Sequence, residues 1–185
     1  MKKISVVIPM YYEEEVVEEC YKRMTNILSH IENYEYEIIC VNDGSKDKTL
    51  TILKEIAEKD QKLKVISFSR NFGHQCAVTA GLKYVTGDVI VIIDADLQDP
   101  PELIPDMLKL WEEGNEVIYG KRKTREGESK FKLLTAKMFY HTLNALSDVE
   151  IPKDTGDFRL VDRKVVEVIN SLPEHNKFLR GLFSW

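Results

Sequence analysis

The chain has 185 residues, 43% hydrophobic and 31% charged, which suffices for one sizeable core and falls short of two independent domains. Its 26 basic residues stand against 31 acidic ones, and the net charge of −5 argues against a surface built throughout for nucleic acid.

The first ten residues, "MKKISVVIPM", start with lysines, but the apolar run is brief and leads into acids instead of a small-residue cleavage site. They read as a first strand, not a secretion signal. Further β-branched runs at 36–41, 63–68, 88–93 and 116–119 follow the first at 4–9, and segments of helical pattern separate the first four. That alternation predicts βαβ units and one mostly parallel sheet flanked by helices. The first helix, about 13–31, opens on "EEE" and sets Val16, Val17, Cys20, Met24, Ile27, Leu28 and Ile31 on one stripe. A second covers about 46–59, and Pro100 and Pro101 sit where a helix starting "PELIPDMLKLW" tolerates them.

After Gly120 the pattern changes. Residues 121–137 hold seven basic and two acidic residues, a local charge of about +5, suited to a solvated helix face or to a phosphate or anionic membrane surface. A long helix is expected over "FKLLTAKMFYHTLNALS", then loop, short strand and helix over "DVEIPKDTGDFRLVDRKVVEVI". The closing "NKFLRGLFSW" mixes aromatic, aliphatic and basic residues, as does an interfacial segment or a helix returning to the core. No stretch of eighteen apolar residues occurs. Cys20, Cys40 and Cys76 show no CxxC pairing and fit buried thiols in a reducing compartment. One domain over 1–185 is expected.

Ligands of parallel α/β sheets gather at the carboxyl ends of the strands, and four such ends here are polar: "PMYYEEE", "VNDGSKDKT", "SFSRNFGHQ" and "DADLQDPP". If the chain stays extended, Asp94 and Asp96 point to the same side, and two carboxylates that close repel unless a proton or cation intervenes. Mg²⁺ or Mn²⁺, completed by water and phosphate oxygens, is the natural partner. The plainer alternative is acids capping the next helix, a role that suits Asp99. Asp43 in "NDGS" can accept from a base edge, with Gly44 allowing close approach, although ordinary turn chemistry also accounts for it. Glu13 can be simply a first-turn acid. His30, His74, His141 and His175 are scattered without metal-ligand spacing, and neither a Walker loop nor GxGxxG appears.

Taken in series, "VVIPMYYEE", "VNDGSKDKT", "RNFGHQCAVTAGL", "DADLQDPPE", "GESKFKLLTAKMFY", "DTGDFRL" and "RGLFSW" resemble the GT-A glycosyltransferases of family 2, over essentially the whole chain. Within that family the pattern is most similar to the polyprenyl-phosphate glycosyltransferases, the bactoprenol glucosyltransferase and dolichol-phosphate mannose synthase group. The resemblance implies a GT-A, Rossmann-like α/β fold, with a nucleotide-sugar-binding half over 1–120 and an acceptor-side half over 121–185. It assigns Pro9, Tyr11 and Glu13 to a nucleotide-contacting loop, Asp43 to the base, and Asp94, Ala95 and Asp96 to the nucleotide sugar. Asp94 and Asp96 would also hold the metal, and Gln98 would lie beside the donor. Asp157, with Asp96, carries catalysis in this reading, and Arg122, Arg125 and Arg180 meet the acceptor phosphate, with Arg159 a further candidate. One departure stands out: the group usually reads "YNEE" where this chain has Tyr12 for the Asn.

The implied reaction is inverting transfer of a sugar, glucose first, from a UDP-sugar to a polyprenyl (undecaprenyl) phosphate at the cytoplasmic side of the cell membrane. A GDP-mannose-dependent counterpart or a non-catalytic nucleotide-sugar-binding domain are the alternatives. A homo-oligomer is left open, and no nucleic-acid partner is expected. The acceptor phosphate is already mostly ionised at neutral pH, its second pKa lying near about 6. Asp157 then has little proton to abstract and mainly orients the acceptor or takes the residual proton. Haloacid-dehalogenase-like phosphatases also place DxD after a strand, but after the first strand and continuing to a Gly-Thr pair, which this chain lacks.

Overall fold

A computed structural model describes residues 1–121, 155–174 and 177–185. The long helix expected over 131–147 and the residues Arg122, Arg125, His141 and His175 lie outside these. Among the described residues, six strands form one sheet: β1 (Lys2–Met10), β2 (Tyr34–Asn42), β3 (Leu63–Ser67), β4 (Val89–Ile92), β5 (Val117–Lys121) and β6 (Thr155–Asp162). Their spatial order is β3-β2-β1-β4-β6-β5, with β1 pairing in parallel to β2 and β4, and β2 to β3. Only β6 runs against its neighbours, pairing antiparallel with both β4 and β5, so the sheet draws on both sides of residue 120.

Strand alternation divides the core into two layers. Ile4, Val6, Ile8, Ile38, Cys40, Val89 and Val91 face α1 (Val17–Ser29), α2 (Thr49–Lys59) and α4 (Ile104–Glu112). Val7, Ile39, Val41, Ile90 and Ile92 face α3 (His74–Tyr84), α5 (Arg163–Ser171) and the short α6 (Leu179–Leu182). Each helix contributes a stripe at helical spacing, such as Val17, Cys20, Met24 and Leu28 on α1, all buried. Each such side chain contributes about 1.5–3 kcal/mol on burial. α3 approaches the sheet closely because Gly81 has no Cβ; one there would stand 2.4 Å from Val7 Cγ1.

α1 starts later than position 13, after a turn closed by the Val16 and Val17 N–H groups on the Glu13 carbonyl. The closing segment mixes the two expected characters. Leu179 and Phe183 are buried in the second layer, while Phe178 and Trp185 are exposed, Trp185 at 77%. No helix among the described residues is long and apolar enough to cross a membrane.

Candidate active site

Side chain-to-backbone bonds tie successive loops together along the carboxyl edge. The β1–α1 loop is held to the β2–α2 loop by Tyr12 N–H on Ser45 Oγ (3.0 Å), Glu13 N–H on Thr49 Oγ1 (2.9 Å) and Glu14 N–H on Asp47 Oδ2 (3.2 Å). Asp43, buried at the end of β2, accepts from Phe72 N (2.7 Å) and Gly73 N (2.9 Å), which fastens the β3–α3 loop. Gly44 lets the same two loops touch: its φ is +69°, and a Cβ would lie 2.3 Å from the Arg70 carbonyl carbon. His74, the first residue of α3, then bonds Asp94 after β4, Nε2 to Oδ1 at 2.8 Å.

These bonds build a cleft of about 290 Å³ in which Pro9, Tyr11, Glu13, Asp43, Asp94, Ala95 and Asp96 meet, with Asn71 and His74 on its wall. Gln98 is exposed and not among the lining residues; its N–H closes a turn on Asp96 Oδ1 at 3.1 Å. A larger cleft of about 790 Å³ between α1 and α4 contains none of the expected site residues. Asp94 and Asp96 do not continue an extended strand as expected. β4 ends at Ile92, Ala95 and Asp96 form a turn, and Leu97 takes φ +58°, yet both acids line the same cleft. The helical segments that follow, the 3₁₀ turn at Pro101–Leu103 and α4, take Pro100 and Leu103 as their N-cap residues, so the buried Asp99 lies one position before the first of these caps.

The acids crowd one another. Burial raises the Glu13 pKa, and the charges of Asp96, Asp94 and Asp47 raise it further. The lining side chains include four carboxyl groups and, among the described residues, one group that becomes positive on protonation, His74. A donor set of carboxylates fits a hard divalent ion with open positions.

Asp157 lies beside the cleft on β6. Both its oxygens accept from Arg180, Oδ1 from Nε at 2.8 Å and Oδ2 from Nη2 at 2.9 Å, and Arg159 Nη2 stands 3.2 Å from Oδ1. Burial pushes its carboxyl up, but Arg180, His74 and Arg159 outweigh that and hold it below the usual range. Arg159 departs from the role of phosphate ligand expected of it: it is 2% exposed, 4.7 Å over the Phe183 ring, and it serves as an internal cation. Arg180 is the one-third exposed member of the cluster. His74 was missed as a site residue by metal spacing alone, yet its Nδ1 is 3.9 Å from Asp157 Oδ2, and single ligand atoms of His74, Asp94 and Asp157 lie within 4.8 Å of one another. Its place at the polar end of β3, in "RNFGHQ", was the available signal.

Tyr12 also acquires a physical meaning. It adopts φ +58°, a left-handed conformation that Asn accepts at little cost and Tyr does not.

A mostly parallel sheet with acids gathered at its carboxyl rim, flanked on both faces by helices, is the GT-A architecture. The chain matches the family model described as glycosyl transferase family 2 over residues 5–169, and it belongs to that family. It is 52% identical over 98% of its length to the uncharacterized glycosyltransferase YkcC of Bacillus subtilis (strain 168), covering 56% of that protein. It is 43% identical over 99% of its length to the prophage bactoprenol glucosyl transferase homolog of Escherichia coli (strain K12), covering 60% of it. The chain therefore spans under two thirds of the curated relatives it matches. Among solved structures, the mannosyltransferase PcManGT from Pyrobaculum calidifontis, in complex with GDP-Man and Mn²⁺, shares the fold with a TM-score of 0.65 at 21% identity, over 93% of this chain and 48% of that one.

Proposed function

We propose that this chain is the catalytic domain of an inverting, metal-dependent hexosyltransferase that moves glucose from a UDP-sugar to a polyprenyl phosphate at the cytoplasmic membrane face. The observation that carries this reading is the meeting of Glu13, Asp43, Asp94 and Asp96 in one cleft, with the Asp157–Arg180 pair at its side. The names of relatives at 43% identity support the lipid acceptor and the sugar.

Pro9, Tyr11 and Asp43 would hold the nucleoside end of the donor, and Asp94 and Asp96 the metal at the diphosphate. A divalent ion held there would supply the positive charge that offsets the charge growing on the leaving diphosphate as the sugar–oxygen bond breaks. On the acceptor side, a phosphate oxygen bonds the anomeric carbon from the face opposite the departing nucleotide. Because the acceptor arrives mostly ionised, the chain supplies little base catalysis. Asp157, held ionised by its arginines, instead holds the one-third exposed Arg180 guanidinium in place through both its oxygens, on the side where the acceptor phosphate would meet it. Arg122 and Arg125 belong to the same acceptor side in this proposal. Exposed Phe178 and Trp185 provide the apolar contact with the bilayer surface.

Calorimetry with a panel of UDP- and GDP-sugars in Mn²⁺ tests the donor side, followed by transfer of labelled sugar to undecaprenyl phosphate. Manganese-assisted uptake of UDP-glucose is expected, weakened about 10-fold or more when Asp94 and Asp96 both become Ala. Preference for GDP-mannose moves the assignment to the mannosyl reaction. No metal-assisted uptake of any UDP or GDP ligand refutes the proposal.

A further inference from the structure

The donor-side acids and the acceptor-side pair belong to elements far apart in sequence, and one side chain touches both. His74 stands at the first turn of α3 with its ring between Asp94 and Asp157. An ionised carboxylate only accepts hydrogen bonds, so the imidazole Nε2 that meets Asp94 Oδ1 at 2.8 Å carries a proton. Asp94 Oδ2 accepts no hydrogen bond from the described residues. The other ring nitrogen, at 3.9 Å, is too far from Asp157 to compete with Arg180.

We propose that His74 is a positioning residue: by bonding Asp94 Oδ1 it fixes that carboxylate's orientation and leaves Oδ2 for a divalent ion, while its ring spaces the donor acid from the Asp157–Arg180 pair. This rests on the reading of the cleft as a nucleotide and metal site. Two features of the fold make the placement rigid. The ring is anchored on a helix whose backbone is pinned at Gly73 by Asp43, and the same helix is packed tightly on β1 and β2 through Gly81. Partners that orient a metal ligand in this way are typically worth about 10–100-fold in metal affinity.

The test is an electron-paramagnetic-resonance titration of Mn²⁺ in the presence of UDP, on wild type, His74→Leu, His74→Gln and Asp94→Asn. Leu removes the donor at similar volume, whereas the Gln amide nitrogen reaches roughly where the imidazole Nε2 stood. His74→Leu is expected to weaken Mn²⁺ binding about 10–100-fold, and His74→Gln to stay within about 3-fold of wild type. In the Asp94→Asn background, His74→Leu is expected to add nothing, since the two act as one unit. Leu binding the metal as wild type does, Gln being as weak as Leu, or a further full loss on top of Asp94→Asn would each overturn the role of His74. Wild type that takes up no Mn²⁺ with UDP would instead overturn the reading of the cleft itself.

Discussion

At the edge of the sheet opposite the cleft, Glu37 makes the most concentrated set of polar contacts in the described structure. Its carboxylate is 2% exposed and accepts from Ser5 Oγ (2.6 Å), Thr86 N (2.6 Å) and Thr86 Oγ1 (2.8 Å) on one oxygen, and from Lys64 (2.6 Å) and Lys3 (3.1 Å) on the other. Burial alone would raise its pKa, but the bonds from Lys64, Ser5 and Thr86 outweigh it and lower the value to about 2 from 4.5. A depressed carboxyl contributes stability that is fully present above its unfolded pKa and is lost as pH falls toward the folded one. The difference corresponds to about 3 kcal/mol at pH 7, of which about 2 kcal/mol is gone by pH 3. Glu37→Gln keeps the shape but faces two ammonium groups with an amide that cannot pair with both. Urea unfolding should therefore show the variant about 3 kcal/mol less stable at pH 7, with the gap shrinking to about 1 kcal/mol at pH 3. Because the lysines and Thr86 sit at the far ends of the strands, nucleotide binding by the folded variant should match wild type. A gap that stays constant from pH 7 to 3, or lies below about 1 kcal/mol throughout, would refute the reasoning.

Asp157→Asn should lower the transfer rate by a similar factor at pH 6 and pH 8, because the carboxyl is held ionised well below that range and orients Arg180 instead of taking a proton; a loss confined to pH 6 in the rate profile would restore the base role. The same variant leaves the buried Arg159 without its counter-charge, so its melting temperature should fall, by an amount corresponding to about 3 kcal/mol. Tyr12→Asn should raise stability by roughly 1 kcal/mol in urea, since Asn tolerates the left-handed backbone at φ +58°; a decrease would show that the edge-on contact of Tyr12 with Tyr11, at 4.6 Å between rings, matters more.

Much of this architecture is written locally. Val6, Val7 and Ile8, or Val89 to Ile92, have to be strands covered on both faces, and the stripe Val17, Cys20, Met24 and Leu28 has to be a helix, because periodic burial is a property of neighbouring residues. The same logic put acids at strand ends, where a parallel sheet opens its ligand edge. Tertiary structure alone decided what meets across that edge. The insertion of β6 between β4 and β5 depends on pairing Val89 with Asp162 and Val117 with Val161, partners with no shared local pattern. Likewise Arg159 reads as one more surface cation until Phe183 and Tyr119 close over it. His74 has no metal-ligating residue three or four positions away, and only the seating of α3 on the sheet through Gly81 brings its ring to Asp94, twenty positions on. Spacing rules register ligands carried by one element, whereas this site is shared among four loops whose separation is set by packing.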